Sequence, residues 1–291
     1  MNFGGLDHDG LFSLIHWPLL NLFPIARKIT PMTFKMPLLV FTDLDGTLLS
    51  HADYQWKPAG PALRHLADIG AGVVMASSKT GSEISSLRAD MGLQRWPAIL
   101  ENGAGLLEAH VDAPVDRSDY AQLRAVLSKI SAPLRAGFLG FGDMDGAQVA
   151  AATGLSRSDA RLAKQRAFSE PGIWSGTPAE KEDFLEELAK LGISARDGGR
   201  FMTLSFGATK ADQMADLIRN FAPRHTIALG DAPNDVEMLE AADLGIIIAN
   251  PHRAPLPELK GENAGRIMRT TLAGPEGWNA AILAQLTRLN L

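Results

Sequence analysis

Cysteine is absent from this 291-residue chain, which excludes disulfides, thiol nucleophiles and thiolate metal sites and leaves oxygen and nitrogen as metal donors. The absence fits a reducing compartment, so a cytoplasmic location is expected. Basic charge is not in excess: 28 Lys and Arg stand against 33 Asp and Glu, so no positive field draws in nucleic acid or an anionic membrane surface. A small anionic substrate would then need a local positive pocket. Long apolar runs are also missing. The stretch LFSLIHWPLLNLFPIA at 11–26 is interrupted by His16, Pro18, Asn21 and Pro24 and is shorter than the roughly 20 residues of a spanning helix. No basic segment precedes it and no clear cleavage site follows, which argues against a secretory signal. Met32 and Met36 stand just before the first convincing strand, so residues 1–35 are expected to be a leader, disordered or the product of a mis-assigned start.

What is present is ordered. PLLVFTDLD, from Pro37, is a near-continuous apolar run, as in a strand buried on both faces. KPAGPALRHLADIG follows with Leu63, Leu66 and Ile69 on one helical face and Gly70 placed to end the helix. GVVMASS (strand), SEISSLRADMG (helix) and AILENG (strand and loop) come next. This alternation predicts right-handed crossovers and a parallel sheet. It resumes with TKADQMADLIRNFA (helix), HTIALGDAPND (strand and loop), VEMLEAA (helix) and LGIIIANP (strand). The intervening residues carry longer charged amphipathic helices, DYAQLRAVLSKI and PAEKEDFLEELAKLG. The expected fold is α/β: a doubly wound parallel-sheet core over 36–107 and 200–291, with an inserted α+β lobe over 108–199.

Ligands of such sheets bind beyond the carboxyl ends of the strands, and the polar residues gather there. Asp43 and Asp45 end the first strand, Ser77 and Ser78 the second, Glu101 and Asn102 the third, and Asp231, Asn234 and Asp235 the fourth; Lys210 opens a helix on the same side. Several carboxylates converging on one rim repel unless a cation sits among them. A hard divalent ion such as Mg²⁺, held by oxygens, meets that need, and the set implies metal-assisted phosphoryl transfer. A second Asp-x-Asp-Gly lies in FGDMDGAQV at 141–149, against FTDLDGTLL at 41–49. It follows a Gly-interrupted segment, lacks the threonine and leads into QVAAATG, so it is read as a helix cap. One catalytic centre is expected.

The arrangement resembles the haloacid dehalogenase superfamily of aspartyl-phosphate-forming phosphatases: DLDGT at 43–47, Ser77, Lys210 and GDAPND at 230–235 match its four motifs in order. The resemblance implies that Asp43 attacks phosphorus and that Asp45 protonates the leaving oxygen and then activates water. It implies Mg²⁺ bound by the Asp43 side chain, the Asp45 carbonyl and Asp231, with Asn234 and Asp235 holding that shell. Ser77 and Lys210 would bind phosphoryl oxygens, and Thr47 would support the loop. The insert at 108–199 looks like the α/β cap that selects substrates in the sugar-phosphate subgroup.

Signatures spread over both parts narrow the resemblance. SSKT at 77–80, ENG at 101–103, FGDM at 141–144, AFSEP at 167–171, GGRF at 198–201 and GPEGWN at 274–279 resemble the mannosyl-3-phosphoglycerate phosphatases, whose reaction yields mannosylglycerate, a compatible solute. Lys79, Arg166 and Arg200 are then candidates for the substrate's anionic groups, and Thr80, Glu101 and Asn102 for its hydroxyls. Met202 and Thr203 depart from the family pattern, where an aromatic residue or histidine is expected. Glucosyl-3-phosphoglycerate, sucrose phosphate and trehalose phosphate remain open as substrates, as does phosphomutase chemistry. A silent sugar-phosphate sensor would not need Asp43, Asp45, Lys210 and Asp231 together.

Overall fold

Leu38, Leu39, Val40, Phe41 and Thr42 are all buried, and they form the central strand β1 (Leu38–Thr42). The computed structural model describes Met1 and residues 35–112, 116–198 and 200–291; the expected leader over 1–35 falls almost wholly outside these. After β1 come α1 (Gly60–Asp68), β2 (Gly72–Ala76), α2 (Gly81–Asp90), β3 (Ala98–Leu100) and β4 (Gly105–Leu107). The middle of the chain supplies α3 (Ser118–Leu127), α4 (Ala132–Arg135), β5 (Phe138–Gly140), α5 (Gly146–Thr153), α6 (Arg157–Ala163), β6 (Glu170–Trp174), α7 (Pro178–Lys190), β7 (Ser194–Asp197) and β8 (Met202–Ser205). The last part holds α8 (Lys210–Phe221), β9 (His225–Gly230), α9 (Val236–Ala241), β10 (Leu244–Ala249), β11 (Ile267–Ala273) and α10 (Gly274–Leu289).

The larger sheet has seven strands in the order β11-β10-β9-β1-β2-β3-β4. Its pairs are parallel except for β3 with β4. Alternation along β1 divides the core into two layers. Leu38 and Val40 pack with Leu63, Leu66, Ile84, Trp278 and Ile282, from α1, α2 and α10. Leu39 and Phe41 pack with Met214, Leu217, Met238 and Leu239, from α8 and α9. The sheet is therefore covered on both faces, as its apolar strands require. Since β1 is flanked by β2 on one side and β9 on the other, the chain reverses its winding there, and the strand ends open a crevice.

A second sheet, antiparallel, runs β5-β6-β8-β7. Leu123 and Leu127 of α3 and Phe184 and Leu188 of α7 cover it against Phe138, Met202 and Leu204. The two charged amphipathic helices thus bury their apolar stripes on this sheet. The sheet extends beyond residue 199, because Met202–Ser205 pairs with both β6 and β7. The FGDMDG segment takes up structural work. Asp145 caps α5, accepting from Gln148 N at 2.8 Å, while the Gln148 side chain accepts from Asp145 N. Asp143 accepts from Arg135 at 2.6 Å and from Gly140 N at 2.9 Å, and also pairs with Arg124.

Candidate active site

The site lies at the carboxyl ends of β1, β2, β3, β9 and β10. Asp43 follows β1 directly, its N–H donating to Leu229 O of β9 at 2.9 Å, so the sheet ladder itself fixes its backbone. Its carboxylate is buried, and Oδ1 accepts from Lys210 Nζ at 2.7 Å. Lys210 opens α8, whose start is held by a Thr209–Asp212 capping box. Only 1% exposed, it also donates to Asp235 Oδ1 at 2.7 Å. Asp235 Oδ2 accepts from Asp231 N and Ala232 N, each at 3.0 Å. Asp235 therefore holds the Asp231 loop and the lysine at once.

Asp231 is held from two sides. Thr47 Oγ1 donates to its Oδ1 at 2.8 Å and Asn250 Nδ2 to its Oδ2 at 2.7 Å, with Arg253 at 3.5 Å. Gly46 lets the Asp43 loop pass close by. It has φ +86°, and a Cβ there would lie 3.0 Å from Asn250 Nδ2 and 3.1 Å from Asp231 Oδ2. Asp43, Asp231 and Asp235 bring one carboxylate oxygen each within 4.8 Å of one another, all buried.

Three buried carboxylates face one buried ammonium, an excess of two negative charges. Burial, reinforced by Asp235 and Asp231 and opposed by Lys210, pushes the Asp43 carboxyl well above its usual range. Burial also raises Asp231, against its hydrogen bond from Asn250. For Lys210, burial lowers the pKa, but Asp235 and Asp43 outweigh it and the group is raised. Burial first, then neighbouring carboxylates, raises the two acids, whereas the carboxylates alone raise the lysine, which stays charged. A divalent cation matches this excess and this all-oxygen donor set. Asp45 points the same way: its Oδ1 is buried without a hydrogen-bond partner among the described residues, while Oδ2 pairs with Lys79 Nζ at 2.9 Å.

The other predicted residues divide. Ser77, 1% exposed, follows β2 beside this cluster, with its N–H on Ile99 O at 3.0 Å. Lys79 pairs with Asp45 and lies over the Tyr54 ring at 5.6 Å; burial lowers its pKa, but the Asp45 pair outweighs that and raises it. Asn102 meets Asn234, whose exposed side chain donates from Nδ2 to Asn102 Oδ1 at 3.1 Å.

Four substrate assignments meet other uses. Thr80 is fully buried as the N-cap of α2, its hydroxyl engaged with Glu83 and Leu162 O. Glu101 accepts from the backbone of Ala167, Phe168 and Ser169. Arg166 reaches Ser78 O, Ser169 and Glu101. Arg200 is exposed and donates to Ala152 O and Thr153 O at the end of α5. Thr80, Glu101 and Arg166 thus spend their polar atoms inside the protein, which removes them as direct ligands for a sugar or its anions.

Sequence reasoning passed over Asn250, Arg253, Thr42 and Trp278. Asn250 had a signal, since it follows an apolar strand as Asp43 and Asp231 do. Trp278 is fully buried in α10, and its Nε1 donates to Thr42 Oγ1 at 3.0 Å, which donates to Asp43 O at 2.7 Å. The late GPEGWN motif therefore supports the Asp43 backbone.

The sequence model of the haloacid dehalogenase-like hydrolases matches residues 174–255, which include Lys210, Asp231 and Asp235. Structures of low identity share the fold over most of the chain. A haloacid dehalogenase-like hydrolase from B. subtilis is 18% identical, with TM-score 0.57, covering 87% of this chain and 99% of its own. Over residues 174–255 the chain is similar to the haloacid dehalogenase-like hydrolases, and it shares the fold of this solved one. Sucrose-phosphatase from Synechocystis sp., solved with sucrose and phosphate, is 16% identical with TM-score 0.56, covering 88% of this chain and 98% of its own. A phosphatase of the haloalkanoate (HAD) enzyme superfamily from Bacteroides thetaiotaomicron is 17% identical with TM-score 0.57, covering 91% of this chain and 99% of its own. Among the described residues, no helix is long and apolar enough to cross a membrane.

Proposed function

We propose that this protein is a Mg²⁺-dependent phosphatase of sugar phosphates, working through an aspartyl phosphate on Asp43, with mannosyl-3-phosphoglycerate as its substrate. The carrying observation is the buried Asp43–Lys210–Asp235 chain set against Asp231, with Asp45 held apart on Lys79. In the first step Asp43 attacks phosphorus: the aspartyl O–P bond forms, the ester O–P bond breaks, and Asp45 gives its proton to the leaving oxygen. Water, losing its proton to Asp45, then cleaves the aspartyl phosphate. Lys210 and Ser77 bind phosphoryl oxygens, Lys210 screening Asp43 from the incoming anion. Asp43 and Asp231 with the Asp45 carbonyl would hold Mg²⁺, and Asp235 and Asn234 would brace them. A bound Mg²⁺ supplies positive charge where negative charge gathers on the transferring group.

The four-stranded sheet with its helices acts in this reading as the cap. A cleft of about 260 Å³ lined by Tyr54, Lys79 and Leu87 and by Leu155, Asp159 and Leu162 of the cap receives the leaving group. Lys79 there remains the candidate for the substrate carboxylate. The phosphoglycerate assignment rests on the dispersed signatures SSKT, ENG, FGDM, AFSEP, GGRF and GPEGWN. Its test is phosphate release with Mg²⁺ from mannosyl- and glucosyl-3-phosphoglycerate, sucrose 6-phosphate and trehalose 6-phosphate. The expected result is a strong preference for a phosphoglycerate ester, reduced about 10³-fold or more in Asp43→Asn. Equal weak activity on all four would sink the substrate assignment while keeping the chemistry.

A further inference from the structure

The turn after β3 places three successive residues in the left-handed region: Glu101 at φ +52°, Asn102 at +61° and Gly103 at +98°. Glutamate does not favour that conformation. The turn is held because it meets four separate parts of the molecule. Glu101 N donates to Lys79 O at 3.1 Å and Asn102 N to Ser77 O at 2.9 Å. Asn102 Oδ1 accepts from Asn234 in the loop that carries Asp231 and Asp235. Gly103 lies against the start of α8, where a Cβ would sit 2.0 Å from Thr209 C and 2.2 Å from Lys210 N; its carbonyl accepts from Gln213 at 3.2 Å.

The fourth part is the segment leading into β6 of the smaller sheet. Glu101 Oε1 accepts from Ala167 N at 2.8 Å. Its Oε2 accepts from Ser169 N at 2.7 Å, Ser169 Oγ at 2.8 Å and Phe168 N at 3.2 Å, with Arg166 Nε also at 3.2 Å. Arg166 returns to the Ser77 loop, donating to Ser78 O at 3.1 Å.

We propose that Glu101–Gly103 is a positioning hub that registers the smaller lobe on the catalytic loops. Its backbone sets the Ser77–Lys79 loop and the start of α8, while the Glu101 carboxylate anchors Arg166–Ser169. Five donors converge on that carboxylate, which is 2% exposed. Only an acceptor-only group satisfies them; a glutamine of the same shape turns an NH₂ toward N–H donors.

Hydrogen exchange on the full chain tests the hub without reference to activity. In Glu101→Gln, exchange at Ala167–Ser169 should rise at least about tenfold while β1 and β9 keep their protection. Ser169→Ala, which loses one donor, should raise the same amides about threefold, and it decides the question if Glu101→Gln does not fold. Unchanged exchange at these amides, or a uniform rise across the molecule, overturns the proposal. A kinetic arm rests on the phosphatase reading. Glu101→Gln should lower kcat/KM at least tenfold more for a sugar phosphate than for p-nitrophenyl phosphate, because the small ester depends on the backbone-held loops alone. Gly103→Ala, displacing Lys210, should lower both together. Equal losses in Glu101→Gln overturn the hub's role in lobe registration. If the wild type releases no phosphate, the phosphatase reading fails, and the exchange result still decides the hub.

Discussion

Single side chains at this site are fixed by others that carry no chemistry themselves. Asn250 shares Asp231 with Thr47, one on each oxygen, and so orients that carboxylate. Asn250→Ala should raise the Mg²⁺ concentration for half-maximal phosphate release about 10–100-fold; an unchanged metal requirement would show that Thr47 alone suffices. That Asp43, Lys210 and Asp231 come together was legible in the sequence because each directly follows an apolar strand or opens a helix, and Asp235 lies four residues beyond Asp231. Glu101 and Thr80 occupy similar places, after β3 and before α2, yet their polar groups turn onto other parts of the chain, as those of Arg166 do. Their partners arrive from distant sequence: Ala167, which meets Glu101, lies 66 residues on, and Leu162, which meets Thr80, lies 82 residues on. A polar side chain at a strand end looks alike whether it faces a ligand or a returning loop. Only the fold tells the two apart.

At the scale of elements, hydrophobic period and caps carried most of the information. β1, α1, β2 and α2 lie where apolar runs and stop glycines place them, Gly70 and Gly92 both adopting positive φ after their helices. The smaller sheet was less legible. Its strands are short, Phe138–Gly140 having only one residue between its ends, and Met202–Ser205 joins it from beyond the expected boundary. The repeated Asp-x-Asp-Gly shows how little a motif says without its setting: in β5–α5 the same letters make a cap and an ion-pair anchor. Burial raises the Asp143 pKa, but hydrogen bonds from Arg124, Arg135 and Gly140 outweigh it and hold the group at about 2. A depressed carboxylate stabilises the fold above its unfolded pKa of about 3.9 and loses that contribution as pH falls toward 2. Denaturant melts should therefore show about 1 kcal/mol lost over this acid range, after solvent screening, and a smaller loss in Asp143→Asn. At neutral pH, Asp145→Ala should cost about 1 kcal/mol through the α5 cap. Acid profiles that coincide for wild type and Asp143→Asn would contradict the ion-pair account.

For the whole molecule, the proposed metal site predicts that the buried negative excess ties stability to a bound metal. Because Asp43 and Asp231 are raised, the folded chain without metal holds those protons more tightly than the unfolded chain. Chelator-treated protein should lose stability as pH rises through and above the ordinary carboxylate range. Mg²⁺ at about 100 times its dissociation constant should restore roughly 2.7 kcal/mol, or a Tm rise of about 4 °C for a chain of this size. A Tm indifferent to Mg²⁺ would place the metal elsewhere. The central claim, that Asp43 becomes phosphorylated, is tested most directly by acid-quenching the enzyme during turnover and weighing its peptides. The account predicts one phosphoryl group on the peptide bearing Asp43, absent from Asp43→Asn. Phosphate release that continues in Asp43→Asn, with no phosphoryl mass on that peptide in the wild type, would contradict it.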